Sequence, residues 1–284
     1  MLKRKLYKAS LVTGSLVFMS VASGKNSFTK TDTTDAPLIR KKQIHHFDSS
    51  GLCTCIPFTL NDETANAPRI QLNKNVAGFV KTYNKKNGYF LGKAGNKAAR
   101  HFGIINAVLL EQGLPGELKY LAFIESGLKY NVKSRAGAIG PWALMPVAAR
   151  QYGLKVSGKN DERLDYYKST KAAAALLSDL YDKYQDWLLV IAAYNSGPGW
   201  IDKAIKKAGS RNYWALQKFL PEETKSHIKR FIAVHYYFEG HGSLATMTKA
   251  ETDAHVKAVK EFVEKQEEFK TVDSSSVVKA TWLH

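Results

Sequence analysis

The hydrophobic and polar positions follow a helical spacing from about residue 70 to residue 240. Apolar side chains recur at positions i, i+3, i+4 and i+7, which is typical of amphipathic helices with one buried face. The alternating pattern of half-buried strands is scarce. We therefore predict a mainly α protein with little or no sheet. The helical spacing is clearest over residues 76–83, 98–109, 118–125, 173–184 and 228–235.

Residues that stop or start helices place the predicted boundaries. Gly113 is suited to end one helix, and Pro115 is suited to the first turn of the next, which predicts a helix over residues 115–127. Asp186 is a candidate N-cap for the strongly apolar run 187–194. Further helices are predicted over 148–152, 200–208 and 221–238.

The ends of the chain differ from its helical middle. Residues 1–24 combine a basic start with an apolar stretch and small residues, which predicts a secretory signal peptide; an uncleaved N-terminal anchor is the alternative. The polar residues 25–67 predict a flexible linker, and residues 68–113 a helical lead-in. A central domain over 114–242 follows, and then a polar tail, 243–284, in which valines at 256, 259 and 263 mark one weak helix.

The formal net charge of +17 indicates an anionic partner or surface. Because the N-terminus predicts export, nucleic acid is excluded as a partner and an anionic cell-wall polymer is favoured. A solvated basic surface is the alternative. Cys53 and Cys55 are assigned no role, because two cysteines cannot complete a four-ligand zinc site.

Glu125 is the residue most indicative of function. It follows five apolar or aromatic residues, 120–124, and the next 35 residues, 126–160, contain six Lys or Arg and no acid. Burial disfavours an ionised carboxyl group, so an acid in this position is suited to donating a proton. The alternative is a structural carboxylate that pairs with Lys129 or Arg135, or that accepts hydrogen bonds from backbone N–H groups.

Two further segments favour a binding site. The Gly-rich loop 135–141 can bring backbone close to a ligand, and Trp142 beside it can offer an aromatic surface to sugar rings. In the second segment, Tyr194 and Asn195 stand at a predicted helix end before the turn 196–199. Each segment alone could be an ordinary loop or a helix cap.

The ordered set of motifs resembles the lytic murein transglycosylases with a goose-lysozyme-like catalytic domain, and most of all their membrane-bound type D branch. Glu125-Ser126-Gly127 resembles the family's catalytic Glu-Ser. The segment 137–146, GAIGPWALMP, resembles Gly-Ala-x-Gly-Leu-Trp-Gln-x-Met-Pro, and 192–197, AAYNSG, resembles Ala-Ala-Tyr-Asn-Ala-Gly. Weaker matches at 161–163, DER, and 220–224, LPEET, extend the resemblance over about 75–240.

The resemblance implies a lysozyme-like helical fold for 114–242 and Glu125 as the single general acid and base. It also implies that sugar-groove residues lie at Ser134, Met145, Tyr194 and Asn195, and Trp142 joins these candidates from the residue pattern of the loop. One position departs from the family pattern: the Gln after Trp is Ala143 here. The loss of that amide predicts weaker substrate binding or orientation, by about 1–3 kcal/mol.

The implied activity is non-hydrolytic cleavage of the β-1,4 bond between N-acetylmuramic acid and N-acetylglucosamine, giving 1,6-anhydromuramyl products. No metal or cofactor is expected. The expected partner is the peptidoglycan glycan strand, in the periplasm or cell envelope. Two alternatives remain. One is a goose-type muramidase that hydrolyses the same bond, for which Asp161, Glu162, Asp165 or Asp186 could supply a second carboxylate. The other is a catalytically weakened peptidoglycan-binding protein.

Overall fold

The computed structural model describes residues 67–280, with side chains described for 67–158 and 160–267. All of these residues lie in one compact unit. The predicted signal peptide, nearly all of the predicted linker, and the two cysteines lie outside the described residues.

The described part of the chain is helical, which confirms the mainly α prediction. Its only extended pairing consists of isolated bridges that join Lys133 to Ile139 and Ile139 to Leu144. Over residues 67–280, none of the helices has the length and apolar character that crossing a membrane requires. The helices are α1 (Lys74–Glu111), α2 (Lys119–Ser126), α3 (Pro146–Gln151), α4 (Tyr166–Tyr184), α5 (Trp187–Ser196), α6 (Pro198–Ala208), α7 (Tyr213–Leu216), α8 (Glu222–Glu239) and α9 (Lys249–Ala280), with short 3₁₀ helices between several of them.

The first long helix differs from the prediction. The sequence pattern indicates two amphipathic helices, at 76–83 and 98–109, whereas the structure has one continuous α1 of 38 residues. Gly88, Gly92 and Gly95 lie in the middle of α1, where Tyr237 and Phe238 of α8 fill the space that their side chains would take. The apolar stripe is interrupted there because close packing against α8 takes its place.

The helix that carries Glu125 forms largely as predicted. A 3₁₀ turn, Gly116–Leu118, leads into α2, and Leu118, Leu121 and Ala122 are fully buried. Gly127 ends α2 in the left-handed conformation with φ 64°. That conformation costs glycine little, so the glycine fixes the end of the helix immediately after Glu125 and Ser126.

The strongly apolar α5 lies at the centre and packs against α4, α6 and α8. Residues from Trp187 to Ala193 are all buried. Asp186 caps α5 as predicted, because its Oδ1 accepts a hydrogen bond from the Leu189 N–H (3.1 Å). Its Oδ2 accepts from the Lys249 N–H (2.7 Å), so the same carboxyl also holds the first residue of α9.

Candidate active site

The Glu125 carboxyl group lies in the last turn of α2 and meets a histidine from α8. The His227 Nε2 atom is 2.8 Å from Oε1 of Glu125. The Glu125 side chain is 17% exposed, whereas that of His227 is 3% exposed. The carboxyl group therefore lies at the boundary between core and solvent. A ligand can reach it from the solvent side, and the buried imidazole of His227 contacts it from the core side.

Tyr194, at the end of α5, is the second group beside Glu125. Burial raises the pKa of Tyr194 well above its ordinary value, and the charge of Glu125 raises it further. The phenol is therefore protonated, and it donates a hydrogen bond to the backbone carbonyl of Trp142 (2.6 Å). Tyr194 thereby connects the end of α5 to the Gly-rich loop, next to the carboxyl group.

The loop 137–144 is held in place by Arg163, which is buried. Its Nη1 donates to the carbonyls of Gly137 (2.8 Å) and Leu144 (2.9 Å). Its Nε and Nη2 donate to the carboxylate of Asp161 at 2.9 and 2.7 Å. These hydrogen bonds hold the pKa of Asp161 below its ordinary value. The 161–163 motif thus acts as a clamp on the loop.

Ser126 ties the loop to α2. Its hydroxyl donates to the Pro141 carbonyl at 2.7 Å, and it lies 3.3 Å from the Ala122 carbonyl. On the other side of the loop, Gly140 has φ +84°, and a Cβ there would lie 1.9 Å from the Arg163 carbonyl oxygen. Glycine at 140 is therefore required by both conformation and space.

Three of the predicted groove residues have defined surroundings. Asn195 Oδ1 accepts a hydrogen bond from the Thr224 hydroxyl of α8 (2.9 Å), which leaves the amide N–H₂ group for another partner. Ser134 is exposed and its hydroxyl accepts from the Ala138 N–H (3.0 Å), so it stabilises the loop. Met145 is 42% exposed at the start of α3.

Trp142 has a different environment from the one expected. Its indole is fully buried, and its Nε1 donates to the Thr170 hydroxyl of α4 (2.9 Å). The ring presents no surface to solvent, so this placement does not support the expected stacking of a sugar on the indole. Trp142 contributes its carbonyl, which accepts from Tyr194, and anchors the loop to the core.

The four carboxylates considered as possible second catalytic groups are engaged elsewhere. Asp161 is bound by Arg163, and Glu162 pairs with Lys168 (2.7 Å). Asp165 caps α4 by accepting from the Lys168 N–H, and Asp186 caps α5. Among the described residues, the side chains with a hydrogen bond or charge interaction to Glu125 are those of His227 and Tyr194.

Sequence reasoning did not identify His227 or Thr224. The two proposed structural partners of Glu125, Lys129 and Arg135, are exposed, and neither forms an ion pair within the described residues. The sequence pattern of α8 indicates an apolar face that begins at Ile228, and His227 is the residue before it. Its partner lies 102 positions earlier, so no local spacing connects them. The available signal is the 220–224 motif, which places the start of α8 near the site.

The comparisons with known proteins concern the central part of the chain, which includes Glu125. Residues 104–217 match the sequence model of the Transglycosylase SLT domain. The chain is 38% identical over 129 residues to the membrane-bound lytic murein transglycosylase D of Escherichia coli. It is 29% identical over 119 residues to the peptidoglycan transglycosylase gp16 of Escherichia phage T7, covering 41% of this chain and 9% of that protein. The resemblance to the lytic murein transglycosylases is therefore confirmed for the central part of the chain.

The similarity is confined to part of each protein. The match to transglycosylase D covers 44% of this chain and 28% of that protein, so the chain spans little more than a quarter of its length. Among solved structures, the 70-kDa soluble lytic transglycosylase of Escherichia coli has a TM-score of 0.45 and 19% sequence identity, covering 61% of this chain and 32% of that chain.

Proposed function

We propose that this protein is a peptidoglycan lytic transglycosylase in which Glu125 is the single general acid and base. The observation that carries the proposal is the setting of Glu125. It is a partly exposed carboxyl at the end of an apolar helix, bonded to a buried imidazole and near the partly buried phenol of Tyr194, and the four other candidate carboxylates are committed to caps and ion pairs. A reaction that needs only one protein carboxyl fits this arrangement best.

The reaction divides into two proton transfers at the same carboxyl group. Protonated Glu125 donates to the glycosidic oxygen, and the bond from that oxygen to C1 of N-acetylmuramic acid breaks while its N-acetyl group stabilises the positive charge on C1. The N-acetylglucosamine side leaves with the donated proton. The Glu125 carboxylate then accepts the proton of the muramyl 6-hydroxyl as that oxygen attacks C1. The products are a 1,6-anhydro sugar and a free chain end, and no water is consumed.

Two of the predicted groove residues offer groups that position the substrate. The Asn195 amide, oriented by Thr224, is free to donate to a sugar hydroxyl or N-acetyl oxygen. Met145 offers exposed apolar surface beside the loop. The clamp of Arg163 and the hydroxyls of Ser126 and Tyr194 hold the loop backbone, so the loop is in place before substrate arrives.

Digestion of purified sacculi followed by mass spectrometry tests the activity. We expect soluble anhydromuropeptides from the wild type and none above background from Glu125→Gln, which keeps the shape of the side chain and removes the acid. Hydrated products, heavier by one water, would instead identify a muramidase. Sacculus binding without release of fragments would identify a binding protein with a weakened site, for which the replacement of the family glutamine by Ala143 is the relevant feature.

Association with the cell envelope is supported by one face of α1, defined here as the basic face. No acidic residue occurs between Glu63 and Glu111, and Tyr89 and Phe90 are 76% and 68% exposed on this helix. Within the described residues, none of the exposed cations on the face forms an ion pair. Such a surface attracts anionic polymer or an anionic membrane surface. The cations are Lys81, Lys85, Lys86, Lys93, Lys97 and Arg100.

Pull-down of sacculi at increasing salt concentration tests the role of the basic face. We expect binding of the wild type to weaken with salt, because exposed charges are screened over about 10 Å at 0.1 M. The triple variant Lys86→Glu, Lys93→Glu, Lys97→Glu should bind weakly even at low salt while it keeps its helical circular dichroism. Equal binding by the two proteins would exclude this face from envelope association.

A further inference from the structure

The partner of Glu125 is a histidine whose second ring nitrogen has no partner. His227 Nε2 is 2.8 Å from Oε1 of Glu125, and His227 is 2% exposed. Its Nδ1 atom is buried and forms no hydrogen bond with any described group. This asymmetry between the two ring nitrogens restricts the protonation state of the ring.

Three protonation states of the imidazole are possible in principle. The imidazolium and the neutral Nδ1–H tautomer both place a proton on Nδ1, which would leave a buried N–H without an acceptor. Unpaired buried N–H groups are rare, and each costs about 1–3 kcal/mol. The neutral Nε2–H tautomer leaves only an unused lone pair on Nδ1, and its N–H points at Glu125. It is the only state in which every N–H of the ring is satisfied.

We propose that His227 is a positioning residue that remains neutral, with its proton on Nε2, and donates a permanent hydrogen bond to Oε1 of Glu125. Oε2 is then the oxygen that carries the catalytic proton to the sugar and later accepts one from it. This inference rests on the proposed function of Glu125 and goes beyond it, because it assigns different tasks to the two carboxyl oxygens.

The hydrogen bond favours the first half of the reaction, in which Glu125 gives up its proton. While Glu125 is protonated on Oε2, its Oε1 is a carbonyl oxygen and accepts from His227. When Glu125 gives up its proton, the same hydrogen bond faces a carboxylate and becomes stronger, since charged acceptors form stronger hydrogen bonds. The donor therefore stabilises the charge that develops on Glu125 during bond cleavage more than it stabilises the ground state, and it does so without adding a charge of its own.

Among the described residues, one other side chain has an interaction with this pair. Tyr194 of α5 interacts with Glu125 and is protonated. The other charged or titratable groups on the packed elements fall into three sets. Some are paired, some are exposed, and some lie further along α8 than His227. Lys119 pairs with Glu239, Lys225 with Glu222, and Asp186 with backbone N–H groups; Lys129, Lys133, Arg135 and Glu223 are exposed, Lys229 and Arg230 follow His227 on α8, and His235 lies two turns further along it.

Kinetics of three variants test the proposal. His227→Gln keeps an amide N–H near the position of Nε2 and cannot titrate, whereas His227→Phe removes the donor. We expect His227→Gln to keep most of the kcat of the wild type, and His227→Phe to lose about 10- to 100-fold in kcat with little change in KM. The pH–rate profile of His227→Phe should also differ from that of the wild type, because Glu125 loses its hydrogen-bond donor. Glu125→Gln should be inactive throughout.

The opposite kinetic results would overturn the proposal. If folded His227→Gln were as inactive as His227→Phe, the ring would act by its own titration and not as a fixed donor. If His227→Phe had an unchanged kcat and pH profile at an unchanged melting temperature, the histidine would have no influence on Glu125.

Nuclear magnetic resonance of the ¹⁵N-histidine-labelled protein provides a readout that does not depend on activity. Long-range ¹H–¹⁵N spectra distinguish the two neutral tautomers from the imidazolium. We expect His227 to be the Nε2–H tautomer, and Glu125→Ala to shift its Nε2–H resonance. An Nδ1–H tautomer or an imidazolium near neutral pH would refute the assignment. Absence of muropeptide release with the expected tautomer would refute the proposed function alone.

Discussion

Acid should destabilise the fold through His235, a residue on the same helix as His227. His235 is fully buried, with its Nε2 2.8 Å from the Ser243 hydroxyl and its ring packed against Tyr120 and Phe231. Desolvation by burial lowers the pKa of His235 from its ordinary 6.5 to about 4. The folded protein therefore resists a proton that the unfolded chain accepts.

The magnitude and sign follow from that difference in pKa. Between pH 6.5 and pH 4 the unfolded state binds the proton and the folded state does not, so the free energy of unfolding falls as pH falls through this window. At about 1.4 kcal/mol per pH unit, the full loss is about 3 kcal/mol. Asp186 acts in the opposite direction, because burial raises its pKa to about 6 and the folded state then binds protons more readily. The wild-type profile alone thus mixes two opposing contributions.

Urea denaturation of the wild type and His235→Gln at several pH values separates the contribution of His235 from that of Asp186. The variant cannot titrate at this position, and the contribution of Asp186 cancels in the difference. We expect the wild type to be the more stable protein at pH 7.5, and the difference to shrink by about 3 kcal/mol by pH 4. Parallel profiles would show that His235 is not held neutral by burial. Because α8 also carries Thr224 and His227, this experiment shows which part of any low-pH activity loss is unfolding.

Three substitutions test the loop and its supports. Gly140→Ala should abolish soluble expression or lower stability by more than about 3 kcal/mol, because its Cβ would collide with the Arg163 carbonyl; a melting temperature within a few degrees of the wild type would contradict this. Ser126→Ala should cost about 1–3 kcal/mol in chemical denaturation by leaving the Pro141 carbonyl unpaired, and it should also lower kcat; unchanged values would show that the tie is dispensable. Ala143→Gln restores the family amide at a residue with φ 48°, which is no worse for Gln than for Ala, and should lower KM up to about tenfold; an unchanged or higher KM would mean that the amide finds no partner here.

Much of the fold could be predicted because its signals are local. Gly127 ends α2 and Asp186 caps α5 through contacts within a few residues, and the predicted N-cap at Asp186 is confirmed. The continuity of α1 could not be predicted, because Gly88, Gly92 and Gly95 have a weak helical tendency alone. They are helical because side chains of α8, more than 140 positions later, pack onto them, as shown by Tyr237, which donates to the Gly88 carbonyl across 149 positions.

The candidate site divides in the same way. The apolar neighbours of Glu125 mark it as a candidate site residue in the sequence, and the turn that follows Tyr194 and Asn195 marks those two residues. Their partners His227 and Thr224 could not be predicted, because these contacts join separate helices. Nothing near His227 in the sequence indicates that it lies next to a carboxyl group. For Trp142 the sequence pattern is local but does not determine the role of the side chain. A tryptophan in a Gly-rich loop is compatible with both a sugar platform and a core anchor, and only the packing against Thr170 distinguishes the two.

The three segments that carry the family motifs are connected through backbone carbonyls of a single loop. Ser126, next to the acid, donates to the Pro141 carbonyl, and Tyr194 donates to the adjacent Trp142 carbonyl. Arg163 holds the loop at the Leu144 carbonyl. These donors bind backbone carbonyls and not loop side chains. The side chain at position 143 can therefore be Ala in place of the family glutamine without a change in the path of the loop or in the position of Glu125 beside it. The substitution should therefore change what the groove binds more than whether the acid is in place.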